Sequence, residues 1–219
     1  IYGFRGADSS SMGTLRDIFS SQELPLSISY RCPKAVVALA QSLVPHIKSA
    51  DTAQDGTVIH MEDIPDLSTF SIEDMIICRN NAPLLSLALK MLGQHRPMRF
   101  LGDFGDKLIS FARSFKTSDI QIFKSRLEEW HENETERLTA QEKWSKLEAV
   151  HDKYEAMSIV ASSAKTVEDL LTILVKIFEQ GNGPIICSIH KSKGLEAKNV
   201  FLLFPELIPS KYAQKAAAI

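Results

Sequence analysis

The residues best suited to chemistry are concentrated in one loop, residues 188–196, which has the sequence Ser-Ile-His-Lys-Ser-Lys-Gly-Leu-Glu. Apolar runs at residues 184–187 and 199–204 flank the loop, and each predicts a buried strand. The loop therefore presents a histidine, two lysines, a glycine and a glutamate at a strand end. A cationic loop with a flexible glycine can hold a phosphate-rich ligand. Ordinary solvated surface charges would give the same composition, so the loop alone leaves both interpretations open.

Two earlier segments add to this observation. Residues 1–8 read Ile-Tyr-Gly-Phe-Arg-Gly-Ala-Asp, and residues 24–31 read Leu-Pro-Leu-Ser-Ile-Ser-Tyr-Arg. In this order and spacing, the three segments resemble motifs III, IV and V of superfamily-1 DNA helicases of the UvrD/Rep/PcrA type. Those motifs are usually written Gln-Ser-Ile-Tyr-x-Trp/Phe-Arg-Gly-Ala, Leu-x-x-Asn-Tyr-Arg and Thr-x-His-x-x-Lys-Gly-Leu-Glu-Phe. The resemblance spans nearly the whole chain.

The resemblance implies a nucleotide-facing group made of Tyr30, Arg31 and Glu196. Arg31 matches the motif IV arginine that reaches the ATP γ-phosphate, a role suited to a fixed fork of donors. Tyr30 matches the aromatic residue that stacks on adenine, and Glu196 matches the acid that accepts a hydrogen bond from the ribose. A strand-end arginine in a salt bridge and a core tyrosine are the structural alternatives. Ser29 stands where the motif usually has Asn.

The same resemblance implies a path for single-stranded DNA. Phe4 would stack on a base, and Arg5 would couple DNA to the nucleotide. His190 and Lys193 would contact the DNA or its backbone, and Gly194 would allow close approach. Disorder at the chain end is the alternative for the first two residues.

A further segment, residues 72–81, looks like the Arg-x-Asn segment of the same family. Its Arg79 and Asn81 precede a leucine-rich run, which predicts a helix over residues 81–93. Contact with the DNA backbone and capping of this helix are equally good interpretations of Arg79 and Asn81.

Composition limits the other possibilities. The net charge of −2 excludes a globally basic nucleic-acid binder, so DNA contacts must come from locally placed cations. The three cysteines match no metal spacing, and no metal site is predicted. They favour reduced thiols and an intracellular location. The resemblance implies a cytoplasmic protein of a bacterial or phage-type cytosol. No apolar run approaches the ~20 residues of a membrane span, so no membrane partner is expected.

Strands alternate with helices, which predicts an α/β fold with a parallel sheet. The resemblance specifies a RecA-like three-layer domain carrying an all-helical insertion. We predict strands at residues 24–30, 57–61, 74–79 and 99–102, and helices at 34–44, 81–93, 106–115 and after a Thr166 cap. Residues 119 to about 161, which carry an acidic stretch and no strong strand signal, predict two or three exposed helices, and residues 119–180 as a whole look like a helical insertion.

These patterns give a predicted domain organisation. Residues 1–23 form the tail of motif III and a linking helix, and residues 24–118 with 181–213 form the second RecA-like domain. Residues 119–180 form an abbreviated insertion like the 2B subdomain of the family, and residues 214–219 form a tail.

No Gly-x-x-x-x-Gly-Lys-Ser/Thr segment occurs in the chain. The resemblance therefore predicts part of a larger ATP-dependent DNA helicase or translocase, inactive alone because the Walker A and B motifs are absent. ATP with Mg²⁺, the first RecA-like domain, and single-stranded DNA or a single/double-strand junction are the expected partners, and DNA repair is an expected setting. Two alternatives stay open: the motor part of a helicase–nuclease subunit, and a degenerate helicase-like scaffold that binds DNA.

Overall fold

The computed structural model describes residues 10–22, 24, 26–179, 181–210 and 212. Contacts divide the chain into two compact units, residues 1–64 and 65–219. Helices alternate with parallel strands along the chain, so the predicted α/β class with a parallel sheet is confirmed, and it is compatible with a RecA-like domain.

The first unit is small and has a minimal sheet. It contains α1 (Ser11–Phe19), β1 (Ile28–Ser29), α2 (Lys34–Ala40) and β2 (Lys48–Ser49). Strands β1 and β2 pair in parallel, with Ile28 opposite Lys48. The Tyr-Arg segment directly follows β1 in the chain.

Three predictions in this unit are wrong: two elements are shorter than expected, and one strand does not form. The strand expected over residues 24–30 is limited to β1, and the helix expected to reach residue 44 ends at Ala40 and continues as turns. No strand forms over residues 57–61, where Ile59 is 74% exposed. Among the described residues no strand pairs with this segment, and β propensity without a pairing partner does not produce a strand.

The second unit is built on a four-stranded parallel sheet with the order β4-β5-β3-β6. Its strands are β3 (Asp74–Cys78), β4 (Arg99–Phe100), β5 (Ile185–Ser188) and β6 (Asn199–Leu203). Strand β3 is buried along most of its length, as its continuous apolar run predicted. Strands β3 and β5 are the two inner strands, so the loop that follows β5 leaves from the centre of the sheet.

Six helices accompany this sheet. They are α3 (Asn81–Gly93), α4 (Phe104–Ser114), α5 (Ile120–Ala140), α6 (Trp144–Ser162), α7 (Val167–Phe178) and the short α8 (Ile189–Ser192). Helix α3 has the predicted bounds, whereas α4 begins two residues before its predicted start.

Local chemistry explains where α5 and α7 begin. The Asp119 carboxylate accepts hydrogen bonds from the N–H groups of Gln121 and Ile122. At α7, Thr166 Oγ1 accepts from the Asp169 N–H at 3.0 Å, and the Asp169 carboxylate accepts from the Thr166 N–H at 3.1 Å. The predicted Thr166 cap is thus confirmed as a reciprocal capping box.

Helices α5, α6 and α7 share the core of the second unit. Phe123 and Leu127 of α5, Met157 and Val160 of α6, and Leu170 of α7 are at most 1% exposed. The expectation that residues 119–161 form helices is confirmed by α5 and α6. These helices are not exposed on all sides, because their apolar faces are buried against other elements of the unit. Four acids of α5 are exposed on its solvated side: Glu128, Glu129, Glu132 and Glu136.

None of the helices in the described part of the chain combines the length and apolar character needed to cross a bilayer.

Burial of α5 predicts unequal effects of two adjacent substitutions. Phe123→Ala should lower the free energy of unfolding by about 3–5 kcal/mol, because it leaves a cavity at a fully buried position. Ile122→Ala, at a side chain that is 47% exposed, should change it by no more than about 0.5 kcal/mol. Urea unfolding followed by tryptophan fluorescence tests this, because both tryptophans, Trp130 and Trp144, lie in the second unit. Equal effects of the two substitutions would contradict this packing.

Candidate functional site

The carboxyl ends of the four strands in the second unit lie at one edge of the sheet. Strand β3 ends at Cys78, β4 at Phe100, β5 at Ser188 and β6 at Leu203. Because all four strands are parallel, the segments that follow them meet at this edge, which we call the carboxyl edge. Ligands of open α/β sheets bind at such edges.

The segment after β5 contains a short helix that the predicted strand–loop–strand did not include. Ser188 is followed by helix α8, and the Ser192 hydroxyl donates to the Ile189 carbonyl at 2.9 Å. Gly194 has φ +84°, a conformation that side chains with a Cβ rarely adopt. No atom lies within 4 Å of a Cβ built at this position, so the backbone angle rather than crowding explains the glycine. His190, Lys193 and Glu196 are exposed on this loop.

Arg79 connects this loop to the turn after β3. Its Nη1 lies 3.2 Å from Nε2 and 3.4 Å from Nδ1 of His190, and its Nη2 donates to Glu148 Oε2 at 3.1 Å. The Arg79 and Glu148 side chains are 25% and 19% exposed, so water screens the ion pair only in part. The structure thus brings together two residues predicted for the DNA path, Arg79 and His190, with a helix α6 acid that the sequence did not single out.

Asn81 faces a second acid of α6. Asp152 Oδ2 accepts from Asn81 Nδ2 at 2.8 Å, and Asp152 Oδ1 accepts from the N–H groups of Asn81 and Ala82 at 2.8 and 2.9 Å. Asp152 is 8% exposed, and this burial raises the pKa of its carboxyl, a rise that the hydrogen bonds from Ala82 and Asn81 oppose. Capping of α3 by the Asn81 side chain, one of the two interpretations of this residue, is not observed, and the N-cap residue Asn80 makes no side-chain capping bond either. The N-terminus of α3 is instead satisfied by Asp152.

Sequence reasoning missed Glu148 and Asp152, although one signal was present. Asp152 lies on the same helical stripe as Ala156 and Val160, which are buried. An acid on an apolar stripe needs donors, because an unpaired buried carboxylate is costly. The identity of those donors depends on the fold.

A small open cavity of about 120 Å³ lies at the ends of β4 and β5. Its polar lining comes from Asn81, Asp103, Lys107, Ser188 and Lys191. Gly102 also lines it and has φ +118°, and a Cβ there would lie 3.3 Å from Lys191 Cε. Two observations therefore explain the glycine: the backbone angle is one that other residues rarely adopt, and the Lys191 side chain lies where a Cβ would crowd it.

Asp103 is paired with both lysines of the cavity. Its Oδ2 lies 2.6 Å from Lys107 Nζ, and its Oδ1 lies 3.5 Å from Lys191 Nζ. The hydrogen bond from Lys107 is the main reason that the pKa of this carboxyl falls to about 2. An anionic ligand in this cavity would compete with Asp103 for the two cations.

The predicted nucleotide-facing residues Tyr30 and Arg31 belong to the first unit. Tyr30 is 81% exposed, and Arg31 is also exposed. The turn that carries them is held by the Cys32 N–H, which donates to Ser29 Oγ at 3.3 Å. The alternative of a core tyrosine is excluded by this exposure. Phe4 and Arg5 lie outside the described residues.

Within the described ranges, no group of three or more His, Cys, Asp or Glu side chains could hold a metal ion. Comparison of the chain with models of protein families, with curated proteins and with solved structures found no match.

The Asp103 ion pairs predict a specific change in titration. Lys107→Met should raise the pKa of Asp103 from about 2 towards its ordinary 3.8, and Lys191→Met should raise it less, because Lys191 acts only through its charge. The lowered pKa means that the stabilising contribution of Asp103 is present above pH 3.8 and is lost as the pH falls towards 2. Carbon-13 NMR titration of the carboxyl at low ionic strength tests this. Lys90→Met serves as the control, and an unchanged pKa in Lys107→Met would contradict the assignment.

Proposed function

We propose that this chain supplies the second RecA-like domain of an ATP-dependent DNA helicase or translocase. The observation that carries the proposal is the loop at residues 188–196, which leaves an inner parallel strand at the carboxyl edge with its cationic residues exposed. This is the edge at which open α/β sheets bind ligands. The motif resemblance and the placement of the loop are independent observations, since placement follows from strand pairing.

In this proposal His190 and Lys193 contact the backbone of single-stranded DNA. Both residues are exposed on the loop after β5, and Gly194 turns the backbone after them. A lysine and an imidazole suit phosphate contacts that position the strand without reading its sequence. Arg79 and Asn81 have supporting roles, because their polar groups are engaged by Glu148 and Asp152.

For the nucleotide, the proposal rests on Tyr30 and Arg31 of the first unit. An aromatic ring that is 81% exposed directly after a strand is available to stack on a base. Arg31, the next residue, is exposed beside it and provides a planar fork of donors for phosphate oxygens. These residue types fit ATP, which supplies the phosphoryl-transfer chemistry. Their pairing with a first RecA-like domain, which would hold Mg²⁺, belongs to the same proposal.

The proposal predicts that the chain binds single-stranded DNA through the loop after β5. Lys193→Ala should weaken binding of a fluorescent oligo-dT about tenfold and should reduce the slope of log affinity against log salt by about 1. His190→Ala should weaken binding by a smaller factor. Fluorescence anisotropy over a range of salt concentrations measures both effects.

The matched control is Lys165→Ala, which removes the same charge from an exposed position just before α7. Its affinity should remain near that of the unchanged protein. Equal losses in Lys165→Ala and Lys193→Ala would show that binding is diffuse, and absence of binding by the unchanged chain would contradict the proposed DNA path.

A second prediction concerns ATP hydrolysis by the complete protein to which a first RecA-like domain belongs. Arg31→Ala should lower the DNA-stimulated kcat by about 10³–10⁵-fold while DNA binding is retained, because the guanidinium would stabilise charge on the transferred phosphoryl group. Tyr30→Ala should mainly raise the KM for ATP. Arg113→Ala, at an exposed arginine of α4, is the control. Near-normal hydrolysis by Arg31→Ala would contradict its assigned role.

A further inference from the structure

Two acids of α6 hold the turn between β3 and α3. Glu148 and Asp152 are four residues apart, so they lie on the same face of the helix. Asp152 accepts three hydrogen bonds from Asn81 and Ala82, which anchors the first turn of α3. Glu148, one turn earlier on α6, pairs with Arg79 at the end of β3. The two contacts make α6 a support for residues 79–82.

Arg79 contacts both Glu148 of α6 and His190 in the loop after β5, and it therefore links the helix to the loop. Strands β3 and β5 are adjacent and parallel, with Cys78 opposite Ser188, so the residues that follow them are neighbours. The Arg79 guanidinium is planar, and its Nη2 donates to Glu148 while its Nη1 lies against the His190 ring. Because the guanidinium is planar and rigid, a hydrogen bond that fixes one of its terminal nitrogens also fixes the position of the other.

We infer that Glu148 is a positioning residue, which fixes Arg79 and thereby orients His190 for contact with the phosphate backbone of single-stranded DNA. The inference rests on the proposed function as far as the ligand is concerned. It assigns to α6, a helix with no motif residue of its own, a role in the DNA path. A partly buried, charge-assisted hydrogen bond is strong enough for this role.

The sign of the expected effect separates positioning from simple electrostatics. Glu148→Gln removes a negative charge beside the proposed DNA path, and on charge alone it should tighten the binding of a polyanion. Loss of positioning has the opposite effect, because Arg79 and His190 are no longer held in one arrangement. The same charge change at Glu155, an exposed residue of the same helix, provides the matched control.

The first measurement needs no ligand. Proton–nitrogen NMR signals of the His190 imidazole, identified by their loss in His190→Ala, should shift in Glu148→Gln and should stay in place in Glu155→Gln. Urea unfolding followed by tryptophan fluorescence verifies that both variants are folded. Glu148→Asp keeps the charge on a shorter side chain, so it is expected to shift the signals less than Glu148→Gln does. It serves as a second variant if Glu148→Gln unfolds.

The second measurement is oligo-dT affinity in a double-mutant cycle. Glu148→Gln should weaken binding about fivefold, in the range of the net contribution of one hydrogen bond, whereas Glu155→Gln should leave it unchanged or slightly tighter. In a His190→Ala background, Glu148→Gln should change affinity by less than about twofold, because a residue that acts through His190 has no effect without it.

The two proposals can fail separately. An unchanged protein that does not bind oligo-dT overturns the proposed DNA path, while the imidazole signals still decide whether Glu148 orients His190. Imidazole signals that stay in place in Glu148→Gln overturn the positioning role. Tighter binding by Glu148→Gln also overturns it and would identify Glu148 as a competitor for Arg79.

Discussion

The in-register parallel pairing of β3 with β5 is the constraint on which the carboxyl edge depends. Because Cys78 lies opposite Ser188, residues that are about a hundred positions apart in sequence leave the sheet side by side. Arg79 can then reach His190, and the N-terminus of α3 lies close to the loop after β5. An antiparallel pairing would send the two segments to opposite ends of the sheet.

Charge at this edge is balanced rather than uniformly positive. Glu148 is paired with Arg79, and Asp103 is paired with Lys107 and Lys191. This local balance agrees with the net charge of −2. A phosphate that approaches the edge must compete with carboxylates, so under the proposed function affinity for DNA would depend on the placement of individual cations more than on a long-range field.

The helices between β4 and β5 have a structural role that their acidic sequence conceals. Helix α5 contributes Phe123 and Leu127 to the core, and its Trp130 ring lies 4.6 Å from that of Phe111 in α4. Helix α6 packs beside α3 and supplies the two acids that hold the β3–α3 turn. A segment predicted as an exposed insertion is thus continuous with the core of the sheet unit, and it connects that core to the carboxyl edge.

The sequence by itself determined the α/β class, the bounds of α3 and the capping box of α7, because these depend on periodicity and on contacts within a few residues. It also identified the cationic loop and the Tyr-Arg pair, whose exposure only the structure shows. Only the tertiary structure decided that residues 57–61 form no strand and that α5 and α6 each bury one face in the core, since both outcomes depend on which surfaces meet. The partners of Arg79 and Asn81 likewise came from α6, about seventy residues later. Hydrogen bonds over that separation form only once strand order and helix packing have brought the groups together. The residues near each partner in the sequence therefore cannot predict these bonds.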